Sequence, residues 1–229
     1  MHRSAVASPL PRKRQSTPAL RKPLSFELCP VHSATGASVY AEFAATLIQT
    51  RQHFAPKRLH EPGPSEAQVQ AMFRAAAAAP DHRCILPWRF IVVSRASRAA
   101  LGKVFAAALR ARDPTASEIQ LSEARNKADW APFLALAIVR EGGDEEPDVP
   151  AQERLISLGC AIQNMLLSAH AEGLGSGLVS GQSLQAPHVR QFFNLGECER
   201  AVCFVAVGTV QKPRPIRQRP DPATFVTQV

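Results

Sequence analysis

The sequence predicts a layered domain of the α/β or α+β class, with helices packed on a sheet. Three short apolar runs, Trp88 to Val93, Phe133 to Val139 and Ala201 to Val207, read as buried strands. The segments between them place their apolar residues at helical spacing. A length of 229 residues with 45% hydrophobic and 20% charged positions suits one core with appendages, not a disordered, collagenous or coiled-coil chain. No run approaches the roughly 18–20 consecutive apolar residues of a membrane helix, so no membrane span is expected.

Taken in order, Val39, Phe43 and Leu47 line one face of a helix from Ser38 to Arg51. A basic turn follows, Arg51-Gln52-His53 through Lys57-Arg58, and Pro62-Gly63-Pro64 marks a loop. Ser65 and Gln68 form a capping box opening a helix through Met72 to Pro80. After the first strand, two helical patterns cover Ser97 to Arg112 and Ala116 to Lys127. The second strand leads into an acidic loop, Glu141 to Pro150. Leu155, Ile156, Ile162, Met165, Leu166 and Ala169 then hold helical spacing within Gln152 to Glu172, and Gly173 ends that helix as a left-handed cap. A glycine-rich turn, a short helix over Ala186 to Asn194, and a last strand closed by Gly208 complete the reading. The sequence contains no internal repeat.

The formal charge of +8 is unevenly placed. Arg3, Arg12, Lys13, Arg14, Arg21 and Lys22 all precede the first acid, Glu27, so a leader over residues 1–37 carries most of the excess. Its Pro, Ser and Arg content predicts a disordered tail. Pro9, Pro11, Pro18 and Pro23 would interrupt the amphipathic helix of an organellar targeting peptide, and no apolar run supports a secretory signal. The remainder is only mildly basic, so nucleic acid is an unlikely partner. Cysteines 29, 84, 160, 198 and 203 are odd in number and scattered, which disfavours disulfide and metal frameworks. Cys160 and Cys203 read as small core residues, and the chain as a cytoplasmic protein of a reducing compartment.

No nucleophile elbow, Ser-His-Asp spacing, Walker loop, zinc-binding helix or kinase signature is present. The cluster Gly173-x-Gly175-x-Gly177 follows a helix, whereas a dinucleotide fingerprint follows a strand. By itself it reads as a helix stop and a tight connection. More unusual is Ala79-Pro80-Asp81-His82 before Pro87-Trp88-Arg89-Phe90, a polar turn between a helix end and a strand, where ligands are often bound. A capped turn at Asp81 with an exposed His82 accounts for the same residues.

Together these segments resemble the nitroreductase superfamily, and within it the small YdjA-type NAD(P)H nitroreductases. The residues that carry the resemblance are Arg51-Gln52-His53, Ala79 to His82, Pro87 to Phe90, Gly159-Cys160-Ala161, Gly173 to Gly181, Gly208-Thr209, and Pro220-Asp221-Pro222 with Phe225-Val226-Thr227. They occur in the family's order from about Ala41 to the C-terminus, and the leader has no counterpart.

The resemblance implies an α+β fold for residues 38–229, with a central, mostly antiparallel sheet between helices in three layers. It also implies an intertwined homodimer holding FMN at the subunit interface. Arg51 and His53 are then expected at the flavin phosphate, which needs charge-assisted donors, with Gln52 adding an amide. His82 is expected near the ring edge or ribityl chain, and Pro87 and Trp88 at the pocket wall. Leu178, Val179 and Ser180 are expected against the flavin. Ser168, Ala169, His170, Ala171, Glu172 and Gly173 correspond to a segment associated with NADH or NADPH. Lys212 is expected at the phosphate or the pyrimidine edge.

The implied activity is a ping-pong cycle that passes a hydride from NADH or NADPH to FMN and then to a nitroaromatic, a quinone or a similar small acceptor. No catalytic side chain is needed, because the cofactor carries the redox step. Two departures stand out: Leu86 where the subgroup has a polar residue, and Leu178-Val179 where it has a Trp-Arg pair. They leave open a flavin-binding member without nicotinamide-driven turnover.

Overall fold

The computed structural model describes residues 34–143, 146–212, 215 and 217–229. The chain divides into two units, residues 1–41 and 42–229. All that is described of the first is the opening of helix α1 (Ala34–Thr50), which starts ahead of Ser38 and so includes the end of the expected leader. The rest of the leader lies outside the described residues.

The second unit follows the alternation expected from the sequence. Its elements are β1 (Leu59–His60), α2 (Glu66–Ala77), β2 (Trp88–Val92), α3 (Arg95–Arg112), α4 (Glu118–Asn126), β3 (Phe133–Arg140), α5 (Ala151–Ala171), β4 (Gly175–Val179), α6 (Pro187–Phe192) and β5 (Glu199–Val210). The capping box at the start of α2 is formed as expected, with Ser65 accepting from the Gln68 amide and Gln68 reaching back. Ser117 and Gln120 repeat the device at α4.

The strands form one sheet in the order β1-β5-β3-β2, with β4 also paired to β5, and every strand pairing is antiparallel. Strand β3 shows why three layers form. Phe133, Ala135, Ala137 and Val139 face one core with Met72 and Ala76 of α2 and Leu158, Ala161 and Met165 of α5. The alternate residues Leu134, Leu136 and Ile138 face a second core with Leu101 of α3 and Val189 of α6. A strand covered by helices on both sides reads as a continuous apolar run. Among the described residues no helix is long and apolar enough to cross a membrane.

Three readings of the strands are corrected. The run at Trp88 reads as buried, but β2 pairs only with β3 and forms the sheet edge, leaving Arg89 and Val92 exposed. The last strand does not close at Gly208; it continues to Val210, with Leu59 opposite Val210 as the short strand β1. The glycine-rich segment after α5 is not simply a connection. Gly173 does take the left-handed cap with φ +75°, but Gly175 to Val179 forms β4. A Cβ on Gly175 would run into Val210, and one on Gly177 into the Phe54 carbonyl oxygen, so these glycines permit close backbone approach.

Cys203 is a core residue as expected, and burial pushes its thiol up to about 11.

Candidate functional site

The basic turn after α1 is held against β4. His53 forms a parallel bridge with Ser176, and the Phe54 amide donates to the Ser176 carbonyl at 2.9 Å. Thr50 Oγ1 donates to the Thr46 carbonyl (2.7 Å), so its short contact with His170 Nε2 (2.8 Å) is one in which the imidazole N–H donates. The last turn of α5 is thereby tied to the end of α1. The C-terminal segment crosses the same turn: Arg219 Nη2 donates to the carbonyls of Arg51 (2.6 Å) and Gln49 (3.3 Å), and Gln52 Nε2 donates to the Pro215 carbonyl (3.2 Å).

Arg51 sits half-buried at the centre of this convergence. Its Nε is buried and has no hydrogen-bond partner. Burial, and next the charge of Arg219, hold the guanidinium pKa below its usual value. Burial and then Arg51 lower the pKa of His170 in the same way. Two guanidinium groups and a histidine whose protonation is disfavoured thus converge here, an arrangement that an anion would relieve. The Ser176 hydroxyl, also buried, has no partner either.

The stretch expected to contact flavin is divided by the alternation of β4. Val179 and Gly181 line a cavity of about 390 Å³ whose walls include Pro56, Phe105, Trp130 and Phe204, with Lys127 and Arg112 among its polar residues. Leu178 and Ser180 instead open onto a groove against α5, beside Gly159, Gln163 and Leu166. The cavity has the apolar character of a pocket for a flat ring system.

Other expected residues lie elsewhere. His82 is exposed, and its Nδ1 is 2.7 Å from Glu153 at the start of α5. Its loop is strained, with Arg83, Cys84 and Leu86 at positive φ, and Asp81 accepts from the Leu86 amide at 2.7 Å. Trp88 is fixed by donation from Nε1 to Ser157 (3.0 Å) and lines neither the cavity nor the groove. In the segment Ser168 to Gly173, Ala169 is core, and the carbonyls of Ser168, Ala169 and His170 accept the amides that close α5. Glu172 accepts from Gln68 at 3.4 Å. Ala171 and Gly173 are exposed, and His170 is the side chain of this segment that reaches the basic turn. Lys212 lies in a surface groove with Arg58 and His60.

Arg219, Ser176, Lys127 and Trp130 are absent from the expected set. Arg219 directly precedes the recognised Pro220-Asp221-Pro222, the one signal near it; nothing local marks the others.

The fold is an α+β sandwich whose turn after α1 gathers basic side chains from three parts of the chain. The chain belongs to the nitroreductase family, whose family model, "Nitroreductase family", matches residues 57–209. It is 33% identical over 171 residues to "Putative NAD(P)H nitroreductase YdjA" of Escherichia coli K12, covering 74% of this chain and 91% of that protein. Among solved structures, the nitroreductase-like family protein from Bacillus cereus superposes with a TM-score of 0.67 at 16% identity, covering 81% of this chain and 95% of the other. A nitroreductase with bound FMN from Bacteroides fragilis gives 0.60 at 18%, covering 80% and 96%.

Proposed function

We propose that this chain is an FMN-dependent oxidoreductase that takes electrons from NADH or NADPH and delivers them to a nitroaromatic, a quinone or a similar small acceptor. The observation that carries the reading is the buried, unpartnered Nε of Arg51 in the turn where Arg219 and the end of α5 converge. A phosphate gives that nitrogen the acceptor it lacks. Arg51 and His53 hold the phosphate, with Gln52 alongside, and Lys212 is proposed as a further contact from the groove it shares with Arg58 and His60. Leu178, Val179 and Ser180, at and just after the end of β4, are proposed to meet the cofactor. When bound, FMN supplies the two-electron chemistry, so no acidic or nucleophilic side chain is required. His82 and residues 168–173 are proposed as further contacts to flavin and nicotinamide.

The working unit is proposed to be a homodimer with FMN at the interface. Phe43 and Ile48 on α1 and Ile156 on α5 are exposed apolar side chains, as are Phe225 and Val226 near the C-terminus. A second copy covering these positions would remove that apolar area from water. We place the protein in the cytoplasm, where the free thiols of Cys84, Cys160, Cys198 and Cys203 stay reduced.

The test is an absorbance spectrum of the protein reconstituted with FMN, before and after anaerobic addition of NADPH or NADH. Bleached flavin bands support the oxidoreductase and identify the donor. Bands that persist favour binding without turnover, the reading to which the exposed aliphatic side chains Leu86 and Leu178 lend support. Loss of the flavin on gel filtration refutes the site.

A further inference from the structure

We infer that the cavity under α3 is a site for an aromatic carboxylate, with the ring enclosed by apolar side chains and the acid group held at the rim by Arg112 and Lys127. That such an acid, carrying a nitro group, is the electron acceptor rests on the function proposed above.

The cavity of about 390 Å³ is walled by Phe105 and Leu109 of α3, Leu134 of β3, Phe204 of β5 and Trp130. Phe105 and Phe204 meet edge to face with ring centroids 5.8 Å apart, so the wall is aromatic and suits another flat ring. Two cations and no carboxylate lie among its lining residues. Arg112 is the last residue of α3, and Lys127 opens the short turn Lys127–Asp129 after α4, so two separate chain segments bring positive charge to one cavity.

The acids close to these cations in sequence are engaged elsewhere. Asp113 accepts from the Thr115 hydroxyl (2.6 Å) and amide (3.0 Å), Glu118 pairs with Arg110 at 2.7 Å, and the charge of Asp129 acts on the buried Arg98. Arg112 and Lys127 make no hydrogen bond or salt bridge among the described residues. An apolar interior with a cationic rim selects a ligand of matching polarity, apolar at one end and anionic at the other. A carboxylate conjugated to a ring fits best, because it lies near the ring plane and offers two acceptors to an arginine fork.

Val179 lines the same cavity and is proposed above to meet the cofactor, so a ring held here lies where electrons can reach it. For a nitro-substituted acid the balance is one nitro compound, one NADPH or NADH and one solvent proton giving the nitroso acid, the oxidised nucleotide and water. Two electrons pass, one N–O bond breaks, and the released oxygen leaves as water.

The experiment titrates the full-length, FMN-reconstituted protein with 4-nitrobenzoate and with the neutral 4-nitrobenzamide by calorimetry, with no nicotinamide donor present. The acid is expected to bind at least about tenfold more tightly than the amide, the scale of one charge-assisted hydrogen bond. Arg112→Ala weakens the acid by about tenfold and Lys127→Ala by about threefold, while the amide stays within about twofold in both; Arg112→Lys restores part of the loss. Adding NADPH or NADH then reads turnover, where Arg112→Ala should raise the KM for the acid and leave its kcat within about twofold.

Equal affinity for acid and amide, equal losses for both in the variants, or no binding of either overturns the site. An acid that binds selectively but is not reduced, although the nicotinamide donor bleaches the flavin, overturns the acceptor role alone. If the donor leaves the flavin unbleached, or no flavin is retained, the function proposed above fails, and the same titration of the flavin-free protein decides the carboxylate site by the same outcomes.

Discussion

The loop before β2 and the turn after α1 both carry clustered basic side chains on polar backbone, and they differ in the partners those side chains meet. In the loop, His82 meets Glu153 at 2.7 Å and Arg83 meets Glu146 at 2.6 Å, while Asp81 receives the Leu86 amide. In the turn, Arg51 has Arg219 and His170 for neighbours and a buried Nε with no acceptor. The basic side chains of the loop therefore meet carboxylates from the segment before α5 and from its first turn, although Asp81 Oδ1 is itself buried without a partner. Among the described residues no carboxylate pairs with the Arg51 side chain. Local composition does not distinguish the two; the origin of the carboxylates does.

The contrast is sharpened most by a third arginine. Arg98 is 2% exposed, yet it donates to the carbonyls of Val93 (3.2 Å), Ala128 (2.5 Å) and Pro132 (3.2 Å), joining α3 to both ends of the neighbouring connections. Arg98→Ala leaves those carbonyls without their donor and opens a cavity, and is expected to lower unfolding stability by about 3 kcal/mol in urea denaturation. Arg51→Ala is expected to leave that stability unchanged or raise it, because burial without a partner gives Arg51 nothing to lose on folding. Its effect falls on FMN, whose dissociation constant should rise by at least about tenfold, or about 1.5 kcal/mol. A destabilised Arg51→Ala with unaltered FMN affinity would reverse the assignment of the two regions.

Smaller effects are expected in the compensated loop. Glu153→Gln weakens an exposed pair and should cost less than about 1 kcal/mol of stability. His82→Ala should weaken FMN less than Arg51→Ala does, since the His82 ring already has a carboxylate. Equal losses would show that the loop, despite its internal pairing, contributes to cofactor binding as strongly as the turn.

The smallest effect is a dependence on pH. Arg89 donates to Glu199 through two nitrogens at 2.6 and 2.8 Å, and this hydrogen bonding holds the carboxyl pKa down at about 2. A depressed carboxylate contributes stability above its unfolded pKa and loses it as pH falls toward the folded value. Thermal melts of the wild type should therefore decline between about pH 4.5 and 2 by an increment that Glu199→Gln lacks.

Much of this architecture is legible in the sequence because its causes are local. The capping box at Ser65, the helical spacing through α5 and the left-handed Gly173 each act over a few residues and recur in the structure as read. The edge position of β2 is only hinted at by Arg89 in the middle of an otherwise apolar run, because the number of strands that pair with it depends on chain order in space. Of the site, the basic turn and the stretch around Val179 are visible as motifs. Their division between a cavity and a groove comes from the alternation of a strand whose glycines make it read as a turn.

Local sequence thus sets where helices begin and end and which runs enter the core. The rest depends on tertiary structure. Gly175 and Gly177 serve as strand residues because Val210 and the Phe54 carbonyl occupy the space a side chain would need. Arg219 and His170 reach the Arg51 turn from 168 and 120 residues away, distances over which no local propensity acts. What a buried cation can do depends on which partners folding brings to it, and among the described residues folding supplies carbonyls to Arg98, carboxylates to the loop before β2, and no acceptor to Arg51 Nε.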